Sequence, residues 1–362
     1  MFVKISIYLV SLIPLLFITG PFLSGLGAVL ISLYGLYSLK FFSKIEFHKS
    51  LKIFLILSLL FYFYTLLSSY SSPLPKESFK ASLFYFRFIL FSVGVYFLLS
   101  INLKFSLKLI YKILFFCFVL VFLSILFDYL FNNIIEKSFE SQHTGIFFDE
   151  KIAGSYISRL YPLLISLIFY FEEDLTKLKY ITFERFILLV FIFSFLIIFL
   201  SGERSSIAIF IISNIFLILG LKKYKGIIIN RYIVTGIIIS FVLFNALANE
   251  TFNRVFLKTY DQIFDNNKIN LLSDHHEAHF ITAFRMFEDN KLMGIGPRGF
   301  REFCNDDKYK FIYKSEAQFN NDNTPKTING DIFIKHYDGC STHPHNLFIQ
   351  ILSETGLVGV FF

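Results

Sequence analysis

The residues best suited to chemistry are concentrated near the C-terminal end of this 362-residue chain. Six of its eight histidines, His275, His276, His279, His336, His343 and His345, fall in the last quarter. An imidazole with an ordinary pKa near ~6.5 is largely neutral at neutral pH, so it can take a proton from an attacking hydroxyl or hydrogen-bond an anion. The most specific spacing surrounds His345: His345-Asn346, nine residues from Leu347 to Thr355, then Gly356-Leu357-Val358-Gly359. His343-Pro344 precedes it. Proline pushes the residue before it out of helical geometry and suits the start of a helix, so a helix is expected to begin here. Two arginines stand out as anion holders, because a guanidinium grips charged oxygens with paired hydrogen bonds. Arg204 follows Ser201-Gly202-Glu203, and Arg285 lies nine residues before Gly294-Ile295-Gly296-Pro297-Arg298-Gly299-Phe300. Each has an ordinary alternative. A long polar loop tolerates histidine for solubility alone, Arg204 reads equally as a snorkelling interface anchor, and Arg285 can pair with Glu288 or Asp289.

The elements that must carry these groups are membrane helices. The chain is 55% hydrophobic and 17% charged, with 51 Phe and 20 Tyr and a mean hydropathy of +0.62. That composition excludes a soluble two-domain enzyme, a disordered chain, a collagen and a disulfide scaffold. The alternating ~10-residue segments of an outer-membrane barrel are absent, which leaves an all-α, polytopic transmembrane bundle. Apolar runs long enough to cross ~30 Å of hydrocarbon, or nearly so, are 5–19, 22–39, 51–70, 78–99, 107–131, 152–171, 186–200, 205–221 and 227–247, with a last run starting at Leu347. About ten spans are therefore expected, the last one incomplete. The sequence divides linearly into a transmembrane region 1–248, a polar and partly helical loop 249–344, and the start of a further membrane region 345–362, which ends as a fragment would.

Orientation follows from the loops. Alternate short loops carry fourteen Lys/Arg against five in the opposite set, which puts the N-terminus in the cytoplasm. The 249–344 segment then faces outward with 12 Lys/Arg and 14 Asp/Glu, so the +7 of the whole chain belongs to the cytoplasmic loops. It is a topological signature and implies no nucleic-acid partner.

Several other residues invite a role. Arg87 and Arg159 lie about 12–14 Å inside their spans at 1.5 Å per residue, where a charge faces a cavity, a partner or a pathway. Carboxylates such as Asp128 or Asp149 could pair with them. The run His275-His276-Glu277-Ala278-His279 is not His-Glu-x-x-His, offers too few ligands for zinc, and reads as a solvated helix with no metal. Cys117 should be a small apolar filler, whereas Cys304 and Cys340 share the outer loop and can form a disulfide around the polar Asn320–Asn323 insert. Gly356 and Gly359 have the small-x-x-small spacing of a helix that approaches a neighbour closely.

The His345-Asn346, nine-residue, Gly-x-x-Gly pattern resembles the O-antigen ligase and O-antigen polymerase superfamily of bacterial envelope glycosyltransferases. Ala153-Gly154-Ser155-Tyr156, Ser201-Gly202-Glu203-Arg204-Ser205 and Gly294–Phe300 are similar to further stretches of that family. The resemblance runs from about Phe147 onward, while the first 140 residues share only hydropathy. It implies a glycan donor on a polyprenyl diphosphate, an acceptor hydroxyl on a lipid-core sugar or a second lipid-linked glycan, and transfer at the periplasmic face of the inner membrane without metal or other cofactor. It also implies His345, Arg204 and Arg285 as catalytic residues. Arg298, His343 and Asn346, beside these motifs, and Arg87 and Arg159, from their depth in the spans, are candidate substrate contacts. In this chemistry His345 accepts the acceptor proton or positions the diphosphate, and the arginines hold the charge that develops on the leaving group. A multi-span lipid or solute transporter is the competing class, and a membrane scaffold the third. A transporter would show paired halves with ionisable residues at mid-membrane, and no inverted repeat is visible.

Overall fold

A backbone in hydrocarbon must satisfy its own hydrogen bonds, so the long Phe/Leu/Ile runs become helices. The computed structural model describes residues 2–40, 49–136, 141–175, 182–220, 249–264, 272–317, 327–328, 331–332 and 334–362. The principal helices are α1 (Phe2–Ile18), α2 (Pro21–Ser38), α3 (Lys49–Tyr70), α4 (Pro75–Leu83), α5 (Phe86–Ile101), α6 (Leu103–Leu130), α7 (Ala153–Tyr170), α8 (Phe183–Leu200) and α9 (Arg204–Gly220). They are followed by α10 (Asp274–Asp289), α11 (Gly299–Phe303) and α12 (Leu347–Val360). Turn chemistry sets several ends. Gly20 takes φ +96° between α1 and α2, Pro21 opens α2, and the Asn102 side chain caps α6 by accepting from the Phe105 N–H at 3.1 Å.

Among the described residues, five helical stretches are long and apolar enough to cross a membrane: Pro21–Ser38, Lys49–Tyr70, Pro75–Ile101, Leu103–Leu130 and Phe183–Leu200. Ser6–Ile18, Arg204–Gly220 and Leu347–Val360 are apolar but shorter. The expected span at 227–247 and the Asn320–Asn323 insert lie outside the described residues. One expected span is not a single helix, because 78–99 divides into α4 and α5 around Phe84-Tyr85. Arg87 consequently stands at the second position of α5, beside the break, and not deep in a continuous rod.

The contacts divide the chain into two units, Met1–Gly35 with Gly94–Asp261, and Leu36–Val93 with Gln262–Phe362. This grouping differs from the linear division at 248 and 344, because the second unit draws on α3, α4 and the polar C-terminal third together. In the first unit, α6 and α7 meet through Leu114, Cys117, Val121, Ile157, Leu164 and Ile168, all fully buried. Cys117 is one of the small fillers there. Lipid tails are as apolar as leucine, so such helices associate by close packing and not by burial from water. Gly94 illustrates this: a Cβ there would stand 2.5 Å from the Ile31 carbonyl oxygen. Phe122–Phe193 and Tyr161–Phe210 rings, 4.7 and 4.6 Å apart, add aromatic contacts.

In the second unit a compact apolar centre forms from Ala283 and Met286 of α10, Ile295, Phe300, Cys304 and Tyr309. Two short antiparallel ribbons interrupt an otherwise helical architecture. β1 (Ile312–Ala317) pairs with β4 (Ile334–Asp338), and β2 (Thr327–Ile328) pairs with β3 (Asp331–Ile332). Gly339, at the end of β4, has no room for a Cβ against Thr282 and the Ala278 carbonyl, so the ribbon end lies flat on α10.

Candidate active site

Helix α12 carries the His345 motif, and local chemistry fixes where it starts. The Asn346 side chain accepts from the Ile349 N–H at 3.1 Å as the N-cap. His345 immediately before it takes φ +54°, a left-handed conformation that costs a non-glycine residue about 1–2 kcal/mol. Pro344 is buried, and the Ser341 hydroxyl donates to the His343 carbonyl. Asn346 therefore spends its side-chain oxygen on the helix it caps.

Gly356 is not part of a helical small-residue face. Its φ of +67° and ψ of −168° break α12, a backbone region essentially reserved for glycine. The segment 291–296 enters this break. Ile295 N donates to Ser353 O at 2.9 Å, Gly296 N to Glu354 O at 2.9 Å, and Leu357 N to Lys291 O at 2.8 Å. A Cβ on Gly356 would collide with the Leu292 carbonyl. Carbonyls of the inserted segment and of α12 beside it are met by polar side chains on α3 and on the turn that follows it. The Tyr64 hydroxyl reaches Thr355 O at 2.6 Å and Leu292 O at 2.9 Å, Ser68 Oγ donates to Met293 O, and Ser72 Oγ to Ile295 O, both at 2.8 Å. Serines of α3, α4 and the turn between them also join, Ser69 to Ser82 at 2.6 Å and Ser78 to Ser72 at 2.9 Å. Sequence reasoning passed over these serines, although Ser68-Ser69 and Ser71-Ser72 at the end of an apolar run were a visible signal. Gly356→Ala should expel the inserted segment and destabilise the protein by about 3 kcal/mol or more, from backbone strain plus the carbonyl clash. Limited proteolysis of the 290–297 segment in membranes would read that opening directly.

Around His345 the structure gathers imidazoles. Ring centroids lie 4.4 Å away for His343, 5.1 Å for His279 and 5.7 Å for His276. Among the described residues no group of three or more His, Cys, Asp or Glu has metal-holding geometry. Arg285, on α10, donates to the Lys310 carbonyl at 2.7 Å and lies 5.0 Å from the Phe311 ring centre. No described contact joins it to His345. Cys304 and Cys340 are bonded to each other, which ties the end of α11 to the turn leading to His345. For a separation of 36 residues, loop-closure entropy gives about 4 kcal/mol of stabilisation. Thiol counting on folded protein should find these two cysteines blocked until reductant is added, with thermal stability falling afterwards.

Beside α12 lies a cavity of about 520 Å³, walled by aromatic residues such as Phe61, Tyr62, Tyr85 and Phe88. Gln350 and Glu354 bring polar groups to it. Glu354 is only 6% exposed, accepting from Phe300 N and Gln350 Nε2 at 3.4 Å each. It is a second group that sequence reasoning missed.

The first unit holds the Arg204 region. Gly202 takes φ +65° and packs on the Ser141 carbonyl, turning the chain so that Arg204 opens α9. Glu203 sends its carboxylate to the start of α7, accepting from Gly154 N at 2.6 Å, Ser155 N at 3.1 Å, Ser155 Oγ at 2.6 Å and Ser206 Oγ at 3.0 Å. A carboxylate is favoured at a helix N-terminus, so the two family-like motifs at 153–156 and 201–205 hold each other. Gly154 is required there, because a Cβ would run into Ser201 Oγ. Arg254, which the sequence did not single out, joins them by donating from Nε to Gly202 O at 3.2 Å. Burial, and then the Arg204 charge beside it, hold its guanidinium below the usual arginine range. Both guanidinium groups are half-buried.

The remaining candidates are less engaged with these centres. Arg298 is exposed, takes φ +70°, and pairs with Glu302 at 3.0 Å and Glu77 at 3.9 Å. Arg87 is exposed with its guanidinium 4.9 Å from the Phe88 ring centre, and Arg159 is exposed on α7.

The region containing His345, Arg204, Arg254 and Arg285 has a recognisable relative. Residues 189–362 match the family model described as O-antigen ligase. This part of the chain belongs to the O-antigen ligase/polymerase superfamily. The match spans just under half of the chain and includes the Gly-x-x-Gly motif, while Arg87 and Arg159 precede it. No curated protein and no solved structure matches the chain. The matched residues are O-antigen ligase-like, in a chain whose described residues include helices long and apolar enough to cross a membrane.

Proposed function

We propose that this O-antigen ligase-type protein transfers a glycan from a polyprenyl-diphosphate carrier to an acceptor hydroxyl at the periplasmic face of the bacterial inner membrane. Its N-terminus is cytoplasmic, the 249–344 segment is periplasmic, and neither a metal nor a nucleotide sugar takes part. The acceptor is a lipid-core sugar for a ligase or a second lipid-linked glycan for a polymerase. One observation carries the reading: within the family-matched residues, His345 is held in a left-handed turn at the capped start of α12, with other imidazoles around it.

The acceptor oxygen attacks the anomeric carbon, and the bond from that carbon to the diphosphate oxygen breaks. The acceptor proton passes to His345, and the polyprenyl diphosphate leaves with an added negative charge. Arg204 holds that charge through paired hydrogen bonds, with Arg254 as its neighbour. Arg285 contributes a further guanidinium in the same reaction, and His343 lies against His345. The aromatic cavity beside α12 suits an apolar or ring-shaped part of the substrate. Expression of the full-length gene in ligase-null and polymerase-null strains tests the proposal through surface glycan ladders. Restored attachment identifies a ligase and restored chain length a polymerase. Failure of both, in well-inserted protein, rejects the transferase.

A further inference from the structure

The run His275–His279 has the composition of a solvated helix, and the reaction proposed above leaves it unused. The structure turns one end of it inward. His276 and His279 are three residues apart on α10, a spacing that puts both on one helix face, and both rings approach His345. They are not equivalent. His276 is exposed and shares a 2.6 Å hydrogen bond between Nδ1 and Ser273 Oγ. His343, the third neighbour, is exposed and shares a 2.9 Å bond between Nδ1 and Thr342 Oγ1. His279 is only 5% exposed and lies edge-on to the fully buried Phe300 ring, with centroids 6.5 Å apart. Phe300 N in turn donates to Glu354 of α12, so the wall against His279 is fastened to the helix that starts at His345.

A neutral imidazole has one N–H and one bare nitrogen, and the partner of one nitrogen decides which is which. A base works only if the bare nitrogen faces the hydroxyl it deprotonates. His345 is exposed at the end of the turn that leads into α12. The group beside it with little freedom to turn is His279. The titratable groups around it are His276 on its own helix and His343 and His345 on the turn before α12, while α11 presents Phe300.

We propose that His279 is a positioning residue for His345, the buried imidazole on α10 setting the orientation and tautomer of the one that meets the acceptor. This rests on the reading of His345 as the base. The test is initial-rate kinetics of glycan transfer in membrane vesicles carrying the full-length protein, with acceptor concentration varied. His279→Ala should lower kcat by about 10–100-fold and leave the acceptor KM within about twofold. His279→Gln, whose amide both donates and accepts, should recover to within about fivefold of wild type. The exposed neighbour serves as the control, with His276→Ala staying within about twofold. Retention of the Cys304–Cys340 disulfide reports folding for each variant. Full activity of His279→Ala overturns the inference, and so does an equal loss in the Ala and Gln variants, which marks a merely structural residue. His345→Ala separates the two layers. If it is inactive while His279→Ala is unaffected, the positioning role alone fails. If it is fully active, the base assignment fails and takes this inference with it.

Discussion

Replacing His345 by alanine is expected to abolish glycan transfer in protein that still inserts and still carries the Cys304–Cys340 disulfide. A positioned general base contributes roughly 10²–10⁴-fold. The fold should tolerate the change. His345 is exposed and the cap of α12 is made by Asn346, so relief of the left-handed strain is small against the rest of the packing. His345→Gln should also be inactive, because an amide keeps hydrogen bonding but takes no proton. Transfer in vesicles, read as product per inserted protein, decides the matter. Wild-type rates in both variants would remove His345 from the chemistry.

Arg204→Ala is expected to reduce transfer by about 10²–10³-fold, the loss seen when one preorganised donor to a developing negative charge is taken away. Arg204→Lys should recover little, since an ammonium is a point charge without the paired fork. Arg254→Ala should cost a similar factor. The double variant should cost less than the product of the two, because Arg254 and Arg204 are near enough for each to feel the other's charge. Arg298→Ala provides the contrast. Its guanidinium is exposed and engaged with Glu302 and Glu77, and exposed ion pairs contribute about 0–1 kcal/mol, so transfer should stay near wild type. Inorganic diphosphate inhibition would sharpen the comparison: weakened inhibition in the Arg204 and Arg254 variants places the anion with them, and unchanged inhibition in both counts against the assignment.

Much of the helical architecture was legible because lipid imposes it. A run such as Leu107–Phe131 has few other ways to satisfy its backbone, and α6 covers it almost residue for residue. The break between α4 and α5 was not legible. Phe84-Tyr85 carries no proline or glycine, and hydropathy runs straight through it. The Gly-x-x-Gly pair shows a different limit. Its spacing matched a helical packing motif, but the partner that decides Gly356's conformation is the 291–296 segment, some sixty residues earlier in the chain. The polar side chains on α3 meet the same partner. Arg254 escaped notice because no local pattern surrounds it, and its significance comes from Gly202 and Arg204, about fifty residues away.

Sequence alone determined that this is a helical membrane protein, and its motif spacing marked His345, Arg204 and Arg285 as the groups with a family-like setting. Hydropathy, loop charge and motif spacing are local or additive, so they survive without coordinates. Only the tertiary structure decided that Glu203 fastens one motif to another, that Gly356 is a joint rather than a packing surface, and that a supposedly solvated histidine run lends a buried imidazole to His345. Each of those depends on a hydrogen bond or ring contact between residues far apart in the chain, and such contacts are set by how helices pack, which no local spacing encodes.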